Sequence, residues 1–318
     1  MAKEKQTGGK KHITGARIAK EIRQYKKDVF LSPMYTTFCV ILEILIPYLT
    51  ASIIDKGIAV GNMGHVARIG ALMAVMAVLA MFCGMRAGIH SARASTGLAS
   101  NLRESMFARI QDYSFSNIDK FSTAGLVTRL TTDVTNIQNA FQMLLMICTR
   151  SPVTLIVALF MAFSISAKLS LIFLAAMAFL AVMLFIFIPK AMGYFKQMFK
   201  KYDKVNGVVK ENVGAIRVVK AFVREDYEDQ KFSDAAGELF QNSISAERII
   251  SFNMPIMQLT VYSCILLISW FGAKMIVNQT GLTTGELTSL LSYVMNILMS
   301  LMMLSMVLVM VTQSAAAA

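Results

Sequence analysis

Apolar residues gather into six stretches, at 30–54, 66–85, 151–165, 169–188, 254–277 and 287–311, and the connections between them are alternately short and long. A helix rises ~1.5 Å per residue, so about 20 apolar residues cross the ~30 Å hydrocarbon layer of a bilayer. Five stretches meet that length outright. The third is short, but the apolar run 141–148 precedes it, so this crossing is expected to begin earlier, with Arg150 snorkelling at the water interface. The stretches show no polar/apolar alternation, which excludes barrel strands and predicts helices, whose backbone groups are satisfied within each segment. The expected fold class is therefore an all-α membrane protein with six transmembrane helices and two long cytosolic helical hairpins, at about 86–150 and 190–253.

Composition agrees with this reading. Hydrophobic residues make up 56% of the chain, only 16% of residues are charged, and the mean hydropathy is +0.57. The 24 methionines would also suit a large soluble core, so segment length decides the class.

Charge orients the helices. Nine Lys/Arg precede the first crossing, six lie in the first long connection and eleven in the second, while the short turns around Lys56, Lys168 and Lys274 carry about one each. The positive-inside rule then puts the amino terminus and both hairpins in the cytosol of a multi-pass protein of the cell (plasma or inner) membrane. The net charge of +12 follows from that bias. No nucleic-acid partner is expected, because the basic residues flank crossings and acids nearly balance them in the hairpins.

Residues 1–29 read as a basic cytosolic tail followed by an amphipathic elbow helix, in which Ile18, Ile22, Tyr25 and Val29 recur at helical spacing. The domain 30–318 contains the six crossings. Cys39, Cys83, Cys148 and Cys264 stand singly in apolar segments, so neither a disulfide nor a metal site is expected.

Each hairpin has two arms. In the first, Leu98, Leu102, Met106 and Ile110 repeat every four residues, the pattern breaks over 114–122, and Leu126, Leu130, Val134, Ile137 and Phe141 resume it. Ser122 or Thr123 can cap the returning helix. In the second, Met192, Phe195, Phe199 and Tyr202 mark one arm and Phe232, Leu239, Ala246 and Ile250 the other, with an apolar and basic knot between them at 214–225. Rigid helix pairs carry a displacement at their tips to the membrane better than loops do.

The run SFSNIDKFST at 114–123, followed by GLVTRLTTDV at 125–134, resembles the first intracellular loop of ABC exporters of the multidrug and lipid type. The run ENVGAIRVVKAF at 211–222, with Glu225, Glu228 and Phe232 after it, resembles that family's second loop. IIDKG at 53–57 and RSP at 150–152 are similar to family patterns too, so the likeness covers the chain from about Tyr25 onward. The resemblance implies a half-transporter that dimerises with a like or unlike second half around one substrate path. It also implies short coupling helices docking onto nucleotide-binding domains, at Phe115, Asn117, Ile118 and Asp119 in the first tip and at Ile216, Arg217, Val219, Lys220 and Phe222 in the second. In the family the fourth and fifth crossings swap onto the partner half. ATP and Mg would belong to the nucleotide-binding domain, and no cofactor is expected on this chain.

No GxxxxGK[ST] motif occurs, so this chain is not expected to cradle ATP phosphates itself. The ATPase is expected either on a continuation of the polypeptide or on a separate subunit. For the substrate path, Glu43 beside Pro47 is one candidate, as a proton or cation site or as an acid paired within the bundle. Tyr293, Asn296, Ser300, Met303 and Val307 share a helical face and are another, and Gln258, Tyr262 and Ser269 are weaker ones. Trp270 and Lys274 read as interfacial anchors. A six-helix channel is the competing class. It lacks support from any TVGYG-like filter or any regular arginine spacing in the fourth crossing.

Overall fold

The computed structural model describes residues 20–113 and 123–317. Within them every regular element is helical, and six helices are long and apolar enough to cross a membrane. The chain divides into two compact units, 1–158 and 159–318.

In the first unit, α1 (Lys26–Ile53) pairs with α2 (Met63–Gln111). The helix begins ahead of its apolar stretch, with Lys26 to Val29 as its first turn, and a 3₁₀ turn at Arg23–Tyr25 precedes it, with Arg23 at φ 42°. At 49 residues α2 is about 74 Å long, more than twice the hydrocarbon thickness. It therefore continues as a polar arm.

Small residues let these two helices approach. Ala80, Ala87, Ser91, Ala94, Ser95 and Leu98 form the buried stripe of α2. Ser32 donates to the Ala87 carbonyl at 3.0 Å, and a Cβ at Gly97 would overlap the Tyr25 ring. At the polar end of this seam His90 Nδ1 meets Asp28 Oδ1 at 2.6 Å, and its ring stacks on Tyr35. A π-helical turn at Ile54–Ile58 ends α1, and Asn62 caps α2 by accepting the His65 amide at 3.0 Å.

The returning arm comprises α3 (Thr123–Thr128), a π-helical turn at Arg129–Asp133, and α4 (Val134–Ile165). As expected, the third crossing starts well before residue 151. Arg103 on α2 ties the two arms, donating from Nε to the Leu130 carbonyl and from Nη2 to Thr135 Oγ1, both at 3.2 Å.

In the second unit, α5 (Ala167–Gly214) is a single 48-residue rod capped by Ser166. It is followed by the short α6 (Ile216–Ala221), then α7 (Glu225–Ser251), α8 (Asn253–Val277) and α9 (Thr284–Ala317). A helical turn is interrupted at Phe252, where Pro255 cannot donate to the Ser251 carbonyl. The fifth crossing thus begins a new helix at the end of its arm.

The tight turn into α9 has Gln279 at φ 52° and Gly281 at φ 90°. It closes with a reciprocal capping box, in which the Glu286 amide donates to Thr283 Oγ1 at 3.2 Å and Glu286 Oε2 accepts the Thr283 amide at 3.0 Å. Met257, Cys264 and Ile268 of α8, Leu290, Tyr293 and Ile297 of α9, and Phe173 and Leu180 of α5 are all buried. Gly272 has no room for a side chain against Leu287. The chain is a multi-pass membrane protein.

Candidate functional site

The second hairpin ends in a built tip. Its arms are held by an apolar seam of Ala191, Phe195 and Ala246, with Met198, Phe199 and Ile249 packed beside it. Ala235 and Val208 are buried farther along. Ala246 lies in the seam as its spacing suggested, whereas Phe232 and Tyr202 are 43% and 54% exposed and α7 buries the small Ala235 instead of Phe232. Salt bridges flank the seam. Glu238 accepts from Lys201 at 2.6 Å and Lys204 at 3.1 Å, and Lys231 reaches Glu211 at 2.9 Å. These groups lie well beyond the apolar parts of the crossings. The hydrogen bonds from Lys201 and Lys204 hold the Glu238 carboxyl below the usual range, and the bond to Glu211 raises the Lys231 ammonium.

At the apex Ala215, at φ −105°, interrupts the rod after Gly214, and α6 follows. Val219 is its buried contact, whereas Phe222 and Val223 are 74% and 80% exposed. Three backbone bonds close the helix: Phe222 N to Val218 O at 3.0 Å, Val223 N to Lys220 O at 3.4 Å, and Arg224 N to Val219 O at 3.0 Å. The last two are the pairings of a Schellman motif, whose left-handed position is normally glycine. Here it is Val223 at φ 51°, a β-branched residue in a region that costs about 1–2 kcal/mol. Sequence reasoning did not single out Val223, since only the missing glycine after the apolar run could have signalled it.

The clasp continues into α7. Lys220 Nζ donates to Glu225 Oε1 at 3.0 Å, which lowers the Glu225 carboxyl, and Glu225, Asp226 and Glu228 place negative charge on the first turn of α7. A cleft of about 280 Å³ lies between the arms behind α6, bounded by Val213, Ile216, Val219 and Phe232. Of the candidate residues, Ile216, Arg217, Val219, Lys220 and Phe222 are thus brought onto one apex. Phe115, Asn117, Ile118 and Asp119 lie outside the described residues.

The substrate-path candidates divide. In the first unit Arg150 Nη2 donates to Glu43 Oε2 at 2.5 Å, and the Cys39 thiol lies 3.3 Å from both Glu43 Oε1 and the Ala80 carbonyl. Arg150 thus has a protein partner at the end of its side chain. In the second unit Tyr293 and Ser300 are buried, Asn296 is half-buried and Met303 is 49% exposed. A groove of about 250 Å³ uses the other side of α9, with Met295, Leu298, Met299 and Met302 facing Met254 and Met257 of α8. Gln258 and Tyr262 line it, joined by a 3.2 Å hydrogen bond.

Comparison with known proteins agrees with this architecture. Residues 29–302 match the ABC transporter transmembrane region, and the chain belongs to that family. It is 32% identical over 237 residues to the uncharacterized ABC transporter ATP-binding protein YfiB of Bacillus subtilis, covering 74% of this chain and 41% of that protein. It is 29% identical over 261 residues to the uncharacterized ABC transporter ATP-binding protein Rv1273c of Mycobacterium tuberculosis, covering 82% of this chain and 45% of that protein. An ATP-dependent lipid A-core flippase of Hahella chejuensis is 26% identical over 216 residues, covering 65% of this chain and 35% of that protein. The matched region is less than half the length of each of these relatives.

Proposed function

We propose that this chain is the membrane-spanning half of an ATP-driven exporter and that α6 is the element through which an ATPase drives it. The observation that carries this reading is the apex itself: an exposed aromatic, Phe222, on a six-residue helix clasped between two long rods. An exposed Phe at a strained, salt-bridged tip suits insertion into an apolar socket of a partner. The rods then carry the displacement into α5 and α8, which form crossings. In this reading the amino terminus and both hairpins are cytosolic, the protein resides in the cell membrane, and a second half, like or unlike, completes the path. ATP and Mg would be bound by the nucleotide-binding domain.

The groove chemistry favours one class of cargo. Its lining is methionine-rich and uncharged, with one amide–phenol pair, which suits a flexible apolar molecule or an amphiphile. The naming of similar proteins as lipid A-core flippases favours a lipid-like cargo.

The test is Phe222→Asp in the transporter assembled with its ATPase. The expected result is ATP hydrolysis without coupled transport, at unchanged membrane insertion. Transport at the wild-type rate would refute the reading.

A further inference from the structure

A third cavity of the second unit lies at its opposite end from α6. It holds about 430 Å³ between the start of α5 and the end of α8. Its lining combines two cations, Lys168 and Lys274, with apolar Ile172, Phe271 and Met275 and the amide of Asn278. No carboxylate lines it, and among the described residues neither lysine is in a salt bridge. Glu286, an acid of the adjoining turn, is engaged in its capping box. Lys168 also stands in the first turn of α5, where the free amides of the helix add positive potential. Both lysines thus line one cavity together with apolar side chains, where two crossings end.

We infer that this cleft binds the phosphate of an anionic phospholipid, with Lys168 and Lys274 as its cationic ligands and Ile172, Phe271 and Met275 against the root of the acyl chains. The occupant follows from three properties of the cleft. Its two lysines call for an anion, its apolar lining calls for hydrocarbon, and the ends of α5 and α8, on the side opposite α6, are expected at the level of the outer headgroups. A small anion satisfies only the first. The inference does not depend on the ATPase reading, so the two can fail separately.

The chain contains one tryptophan, Trp270, which is 73% exposed and adjacent in sequence to Phe271 of the lining. Its fluorescence reports locally on the cleft. The full chain is placed in phosphatidylcholine nanodiscs doped with a few mole per cent of phosphatidylglycerol brominated on its acyl chains, and in parallel with brominated phosphatidylcholine at the same fraction. The phosphatidylglycerol probe is expected to quench Trp270 at about 25-fold lower mole fraction than the phosphatidylcholine probe. Each lysine contributes about fivefold to that preference, so Lys168→Gln with Lys274→Gln should reduce it by about 25-fold, to parity. Lys168→Arg with Lys274→Arg should retain it. Equal quenching by the two probes in the wild-type chain, or an undiminished preference in the glutamine double variant, would overturn the proposal. Relief of the quenching by millimolar inorganic phosphate would also overturn it, by assigning the cleft to a free anion.

Discussion

Arg150 Nη2 donates to Glu43 Oε2 across 2.5 Å, joining α4 to α1 within the apolar part of both helices. An isolated charge at the centre of a crossing costs about 2.5–3.5 kcal/mol on insertion scales, and Glu43 stands in the middle of the first apolar stretch. Glu43→Ala or Arg150→Ala, each of which strands the other charge, should therefore lower the yield of folded, inserted protein. Removing both with Glu43→Ala and Arg150→Ala should be milder than the sum of the two single changes. Melting temperatures in detergent for the four members of that cycle measure the coupling, and strict additivity would mean that the pair contributes nothing.

Gly97 meets the Tyr25 ring where α2 passes the turn before α1. Gly97→Ala should destabilise the first unit by about 1–3 kcal/mol through overpacking, despite the higher helix propensity of alanine. Combining it with Tyr25→Ala should restore much of the loss. Thermal unfolding of the single and double variants checks this.

Val223 occupies a backbone conformation that glycine adopts without strain. Val223→Gly should stabilise the tip by about 1 kcal/mol. Slower amide exchange across 216–224 is the expected sign, and faster exchange there would contradict the strain argument.

The arms of the second hairpin should respond to acid. The folded-state pKa of Glu238 lies below its ordinary value of 4.5, so its contribution is present above that value and is lost as pH falls through the lower, folded one. Spin labels on α5 and α7 should show a fixed separation from pH 7 down to about 5 and a broader distribution below about 4. Glu238→Gln should broaden the distribution already at pH 7. High salt should diminish the effect in the wild type, since the carboxylate and both ammonium groups face solvent.

Crossings were legible in the sequence because an apolar run of bilayer length has few soluble alternatives. The break before α6 was legible because the apolar repeat of α5 lapses at Gly214 and Ala215. Partnerships were harder to read. Glu43 and Arg150 lie 107 residues apart, and periodicity ranks neither as the other's neighbour. That the fifth crossing begins as a separate helix was not read from the sequence, although Pro255 is a local signal for it. The apolar face of α9 was ambiguous for the opposite reason: methionine, leucine and valine occur all round it, so the choice between the Tyr293–Ser300 side and the Met295–Met302 side is made by packing against α8 rather than by composition.

The central claim is that α6 stands in the cytosol, at the end of two rods that continue into crossings. Arg217→Cys, on the exposed apex, can be probed with a membrane-impermeant maleimide in intact cells and in inverted vesicles, with Gly281→Cys marking the turn between α8 and α9 and the wild-type chain correcting for native cysteines. The account predicts labelling at 217 only in inverted vesicles and at 281 only in intact cells. Labelling at 217 from outside intact cells would contradict it.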